Sequence, residues 1–209
     1  MDFSAPSSDE TLAAYEHHAA QYIERTATTR SLLVDDLIGL TAAGERVLEL
    51  GSGPGRDAFA LEEAGLLVDR TDGASSFVDR LRADGHSARV LNVYADDFGG
   101  PYDAIFANAV LIHVPRSRLT GVLGVARKAT RSGGVLVASF KKGEGEGWSD
   151  LKLDARRHFT YWLEGSLREV LIAAGWTPIR VADTTQPTSA ERWITVTARN
   201  VKPWPVRIS

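Results

Sequence analysis

Gly51, Gly53 and Gly55 fall at alternate positions in VLELGSGPGRDAFALEEAG, Val47 to Gly65, between a short apolar run and an amphipathic one. Glycine has no Cβ, so a turn of this kind reaches φ > 0 and lets a ligand lie against the backbone. The free N–H groups of the helix that follows attract an anionic group to the same place. The chemistry on offer is binding of a nucleotide-type cofactor. A tight strand-to-helix turn with no ligand uses the same residues, and at this point that reading stays open.

Spacing narrows the ligand. The dinucleotide pattern G-x-G-x-x-G, counted from Gly51, calls for a small residue at position 56, where Arg56 stands. NAD is therefore the weaker reading. Asp72 ends the next strand, Leu66 to Thr71, roughly 20 residues beyond the turn, the interval at which a carboxylate accepts hydrogen bonds from ribose hydroxyls. It equally suits a cap for a helix starting near Ala74. Asp69 falls inside the strand.

The elements that must position these groups alternate. Helices are expected from about Asp9 to Arg25 and from Thr29 to Leu40, then five strand-then-helix units. The later strands run from Ala88 to Leu91, from Asp103 to Ala107 and on from Gly133; a final pair, Thr177 to Ala182 and Arg192 to Ala198, forms a hairpin. Such alternation implies an α/β fold, a parallel sheet with helices on both faces. Ligands of such sheets bind beyond the carboxyl ends of the strands.

With Glu49 two residues before Gly51, the turn fits E/D-x-G-x-G-x-G and resembles the class I S-adenosylmethionine (SAM) dependent methyltransferases; PYDAI and GGVLV match that family's later strands in type and order. AVLIHVPRSRL, GGVLVASFKKGEGE, RRHFTYW and ERWITVTAR resemble a bacterial subgroup related to tellurite-resistance methyltransferases, over about Tyr15 to Asn200. The chain departs from that subgroup at TTQPTSAERW, so no substrate contact is carried over to this loop.

The resemblance implies a Rossmann-like, doubly wound, mostly parallel seven-stranded sheet with an antiparallel edge strand. It implies SAM as cofactor and S-adenosylhomocysteine as product. It assigns cofactor contacts to Glu49, Gly51, Ser52, Gly53, Gly55 and Arg56 in the turn, to Asp72 and Gly73 at the ribose, to Asn92 and Val93 near adenine, and to Asn108 and Ala109. Tyr15, His18, Tyr22 and Arg25 share one face of the leading helix. Tyr22 either touches the methionine part of SAM or seats the helix on the core. Arg25 either meets the cofactor carboxylate or forms a surface ion pair.

The reaction expected is in-line transfer of the sulfonium methyl to a small-molecule acceptor. Alignment of two reactants is worth up to roughly 7–11 kcal/mol, so a base is optional. His113, five residues past Asn108, is the first candidate base and His158 the second; His113 suits a helix cap nearly as well. The segment Lys141 to Trp148, with Arg157, Phe159, Tyr161, Trp162 and Trp193, reads either as a pocket with a charged mouth for a small polar or anionic acceptor or as a mobile lid with solvated charges. Phe159 and Trp162, three apart, have helical spacing and equally suit a core. Asn108 is not followed by the prolines and aromatic of an NPPY-type motif, which disfavours methylation of adenine or glutamine amides. A methyltransferase for RNA or protein, and a non-catalytic SAM-binding partner, are the alternatives.

Composition sets the outer limits. At 209 residues and 44% hydrophobic, one domain with one core is expected, with a helical cover over 1–45 and the Rossmann-like core over 46–200. Met1 to Ser8 reads as a linker. There is no cysteine, hence no disulfide or thiolate metal site; no metal is expected, with Asp96 and Asp97 the acids to inspect. The first residues lack a basic-then-apolar signal and no apolar run approaches a membrane span, so a cytoplasmic location with no membrane partner is expected. A net charge of −3 argues against bulk nucleic-acid binding. Arg116, Arg118, Arg127, Lys128 and Arg131 read as a solvated helix face.

Overall fold

Three helices lie ahead of the first strand: α1 (Ser8–His17), α2 (Ala19–Thr26) and α3 (Leu33–Ile38). The computed structural model describes residues 8–26, 31–151, 153–185 and 191–201. The single helix expected from Asp9 to Arg25 is parted at His18, although its hydrogen bonds run up to that residue (His18 N–H to Ala14 O, 3.2 Å) and on from it (Tyr22 N–H to His18 O, 2.9 Å). The start expected for the second helix falls partly outside the described residues.

The strands and helices that follow are β1 (Arg46–Leu50), α4 (Arg56–Glu63), β2 (Leu67–Asp72), α5 (Ser75–Ala83), β3 (Ala88–Val90), β4 (Tyr102–Ala107), a 3-10 turn over Leu111–His113, and α6 (Arg116–Ala129). Then come β5 (Thr130–Lys142), β6 (Glu146–Ser149), β7 (Arg157–Trp162), α7 (Glu164–Ala173), β8 (Ile179–Asp183) and β9 (Trp193–Arg199). Seven strands stand in the order β3-β2-β1-β4-β5-β9-β8, all parallel except β9, which runs antiparallel to both its neighbours. The expected mostly parallel sheet with an antiparallel edge hairpin is what forms.

Period-two alternation divides the core. Leu48, Leu50, Ile105 and Ala107 face α6 and α7 with Leu119, Leu123, Leu167 and Leu171. Val47, Ala104, Phe106 and Val137 face α3 and α4 with Leu33, Val34, Leu37 and Leu61. Burial on both faces explains why β4 reads as an unbroken apolar run apart from Asp103.

Three expectations need correction. No helix follows β3: Asn92 Oδ1 accepts the Tyr94 N–H, Asp96 Oδ2 the Asn92 N–H and Asp97 Oδ1 the Gly99 N–H, so side chains satisfy backbone that a helix would otherwise pair. A β6–β7 hairpin, not a helix, comes after β5, and β7 pairs with β5 at Lys141 and Lys142. RRHFTYW is therefore a strand, in keeping with its aromatic and β-branched content. Phe159 and Trp162 point to opposite faces instead of sharing a helical one. The loop in TTQPTSAERW lies largely outside the described residues, at 186–190.

Among the described residues no helix is long and apolar enough to cross a membrane.

Candidate functional site

Strand order reverses at β1 and β4, with β2 and β3 to one side and β5 to the other. Beyond their carboxyl ends, where open α/β sheets hold ligands, lies a cleft. Its walls come from the residues just past each strand: Gly51 and Gly53, Asp72 and Gly73, Leu91 to Val93, Asn108 to Val110. Leu12, Tyr15 and Tyr22 cover it, with Phe77 and His113 beside them.

The glycine turn is held by its surroundings. Gly51 has φ of 67°, and a Cβ there would stand 2.8 Å from the Val110 side chain. Behind the turn, Ser52 N–H donates to Thr71 O at 2.8 Å, Thr71 N–H to Ser52 Oγ at 3.1 Å, and the Ser52 hydroxyl to Glu49. Burial pushes the Glu49 carboxyl up to about 8, against the lowering effect of the Ser52 hydrogen bond. Glu49, Ser52 and Gly55 thus support the turn from behind and do not line the cleft; Arg56 is also outside the lining.

Asp72 joins the turn to the second strand. Its Oδ2 accepts the Gly53 N–H at 2.8 Å and its Oδ1 the Ala74 N–H at 2.9 Å, so it shapes the entry to α5 while facing the cleft. Each oxygen retains a lone pair for a further donor. Burial raises this carboxyl to about 6, although the Ala74 and Gly53 hydrogen bonds favour its ionised form. Asp69 is occupied elsewhere, accepting from Arg89 and the Tyr102 hydroxyl.

Past β4, the Asn108 amide donates to Asp57 Oδ2 and accepts from the Ser139 hydroxyl, both at 2.8 Å. Ala109 N–H donates to Ser139 Oγ, also at 2.8 Å, with Ala109 at φ 56°. This network fixes the cleft floor.

His113 is more constrained than its spacing suggests. Its Nδ1 is 2.6 Å from the His158 carbonyl, which only accepts, so Nδ1 carries the proton and Nε2 accepts from the Tyr15 hydroxyl at 2.9 Å. Burial holds the imidazole down at about 3, reinforced by Arg157 and Lys141 and opposed by the His158 hydrogen bond. Burial likewise raises Tyr15 to about 12. His113 in this arrangement is a weak base.

The His158 ring is not brought to the cleft. It is buried against Trp148, centroids 5.6 Å apart, and its Nε2 is 4.0 Å from Glu146; its backbone meets the site, the carbonyl at His113 and the N–H at Thr11 Oγ1, 3.0 Å. Arg25 also lies away, 3.7 Å from Asp154 with both side chains well exposed, the surface ion pair of its two readings. Tyr22 seats the helix, packing edge-on with Tyr15 (5.5 Å) and Phe77 (5.6 Å), and also lines the cleft.

Around the expected pocket mouth, Lys141 Nζ lies 4.5 Å from the Phe159 ring and pairs with Glu191 at 2.8 Å. Trp162 belongs to the core, under the Arg116 guanidinium at 3.8 Å. The basic residues expected along one helix disperse: Arg118 of α6 stacks on Tyr94, while Arg131 falls on β5 instead and pairs with Asp103 of the neighbouring β4. Leu12, Phe77, Leu91 and Val110 were not singled out in the sequence; Leu91 alone had a signal, its position at the end of the third strand. Among the described residues no three acids or histidines converge as a metal site.

The 1,6-didemethyltoxoflavin-N1-methyltransferase of Burkholderia thailandensis, solved with 1,6-didemethyltoxoflavin and S-adenosylhomocysteine, is 19% identical, with a TM-score of 0.70 over 97% of this chain and 93% of that one. DhpI in its SAH complex is 23% identical, with a TM-score of 0.72 over 92% and 96%. The [4+2]-cyclase SpnF is 16% identical, with a TM-score of 0.73 over 94% and 97%. At these identities the likeness speaks for the fold. No curated protein matches the sequence. A family model described as a methyltransferase domain matches residues 15–181, most of the chain, which therefore belongs to the methyltransferase-domain family.

Proposed function

We propose that this protein is a SAM-dependent methyltransferase acting on a small-molecule acceptor. The observation that carries the reading is the Asp72 carboxylate, bound to the Gly53 N–H at the strand-order reversal and still able to accept from a ligand in the cleft. When bound, SAM supplies a sulfonium-activated methyl group. Backbone at Gly51 and Gly53 would lie along it, Asp72 and Gly73 at the ribose, Asn92 and Val93 with Leu91 at the base, and Asn108, Ala109 and Tyr22 toward the methionine end.

The acceptor end is the region of Tyr15, His113 and Val114. Protonating His113 at neutral pH costs roughly 5 kcal/mol if its basicity stays near 3. The chain's contribution is therefore read as alignment and exclusion of water under α1 and α2, with His113 orienting Tyr15. The narrow covered cleft supports a small acceptor over RNA or protein. The finer resemblance to the tellurite-resistance-related subgroup carries no acceptor identity.

Calorimetric titration with SAM and S-adenosylhomocysteine tests the proposal. Saturable binding is expected; no heat at hundreds of micromolar, on the order of −5 kcal/mol or weaker, overturns it. A second reading is favoured by the [4+2]-cyclase on the same architecture, because one fold hosts unlike chemistries. Formation of S-adenosylhomocysteine with an acceptor panel separates transfer from binding.

A further inference from the structure

Arg157 on β7 is 5% exposed, and no carboxylate among the described residues pairs with it. Of the five N–H donors of a guanidinium, one on Nη1 meets the Tyr15 hydroxyl at 3.4 Å and one on Nη2 the Leu151 carbonyl; Nε is buried with no partner. A cation out of water loses several kcal/mol of hydration unless a counter-charge returns it. The Tyr15 and Phe159 rings, 5.6 and 5.2 Å away, return only a part. Lys141, the other cation beside Phe159, already has Glu191. The unmatched positive charge is therefore that of Arg157, and Tyr15 connects it to the cleft.

Resting on the methyltransferase reading, we propose that the acceptor carries an anionic oxygen group, a carboxylate or phosphate-type group, and that Arg157 is the residue that selects it. Arginine's planar fork suits both groups, and the open donors beside Tyr15 supply the contact. The same binding event offsets one source of positive field at His113, whose imidazole gains proton affinity when an acceptor is present.

The full chain, saturated with S-adenosylhomocysteine, is titrated with acetate and separately with inorganic phosphate at constant ionic strength. Saturable binding of at least one anion is expected, weakened at least about tenfold in Arg157→Gln and less in Arg157→Lys, with S-adenosylhomocysteine affinity changed under about threefold. Binding of acetate alone makes the acceptor a carboxylate, and of phosphate alone a phosphate or phosphonate. In the wild type, the bound anion also moves the His113 titration upward by NMR. Neither anion saturating by about 50 mM, or equal binding by Arg157→Gln, overturns the inference while cofactor binding stands. Loss of cofactor binding in the wild type would instead bring down the parent reading, and this one with it. If Arg157→Gln does not fold, wild-type crystals grown with the anion decide: an oxyanion on Arg157 supports the inference, and one found only elsewhere overturns it.

Discussion

The Tyr15 hydroxyl of α1 donates to Nε2 of His113 across 98 residues of chain. Seating the covering helix and occupying the basic nitrogen of the site are thus one interaction. The imidazole becomes free to act on anything else only when Tyr15 moves or finds another partner.

Removing that donor tests the geometry. Tyr15→Phe takes away a hydrogen bond that favours neutral imidazole, so the His113 titration is expected to rise, while burial, the largest cause, still holds it below the usual histidine range. NMR of the histidine ring nitrogens reads this directly. An unmoved titration means the hydrogen bond does not form in solution.

Asp72 makes cofactor binding depend on pH. With its carboxyl at about 6, affinity for S-adenosylhomocysteine is expected to be level above that pH and to fall as pH drops through it. Asp72→Asn should bind at least about tenfold more weakly and lose this dependence. Asp72→Ala is the poorer test, since it also strips acceptors from the Gly53 and Ala74 N–H groups. Calorimetry from pH 5 to about 8 suffices.

Gly51→Ala meets two obstacles, a positive φ and the Val110 side chain 2.8 Å from the new methyl. Together they are expected to cost about 2–4 kcal/mol in urea unfolding. Val110→Ala in the same chain should return the steric share and leave the conformational one. No rescue would mean that Val110 is not what confines the turn.

Glu49 gives stability a sign that can be checked. Its folded carboxyl at about 8 lies above the ordinary 4.5, so its contribution is complete below about 4.5 and is lost as pH rises through 8. Asp72 acts in the same sense between 3.8 and about 6, whereas His113, depressed to about 3, adds stability as pH rises to 6.5. The window from 6.5 to 8 is left to Glu49. There the wild type should lose about 1–2 kcal/mol relative to Glu49→Gln, seen as a midpoint difference of roughly 2–6 °C. Parallel curves for the two proteins would contradict the buried acid.

Legibility tracked how local the information was. Gly51 and Asp72 could be read because a positive-φ turn and a strand-end carboxylate are written in adjacent residues. Asn108 was found the same way, but its partners Asp57 and Ser139 come from other elements, and nothing near it in the chain announces them. RRHFTYW misled because a three-residue spacing of aromatics arises by chance in a strand, where Phe159 and Trp162 face opposite ways. Arg25 turned on Asp154, a partner 129 positions distant. His158 was picked for its ring, whereas the fold uses its carbonyl.

That carbonyl bears on how the protein can change. The group that orients His113 is peptide oxygen, which nearly every substitution at 158 would keep, so the acceptor does not depend on the side chain there. New acceptor preferences can accumulate along the β6–β7 hairpin while the machinery beneath it keeps its alignment.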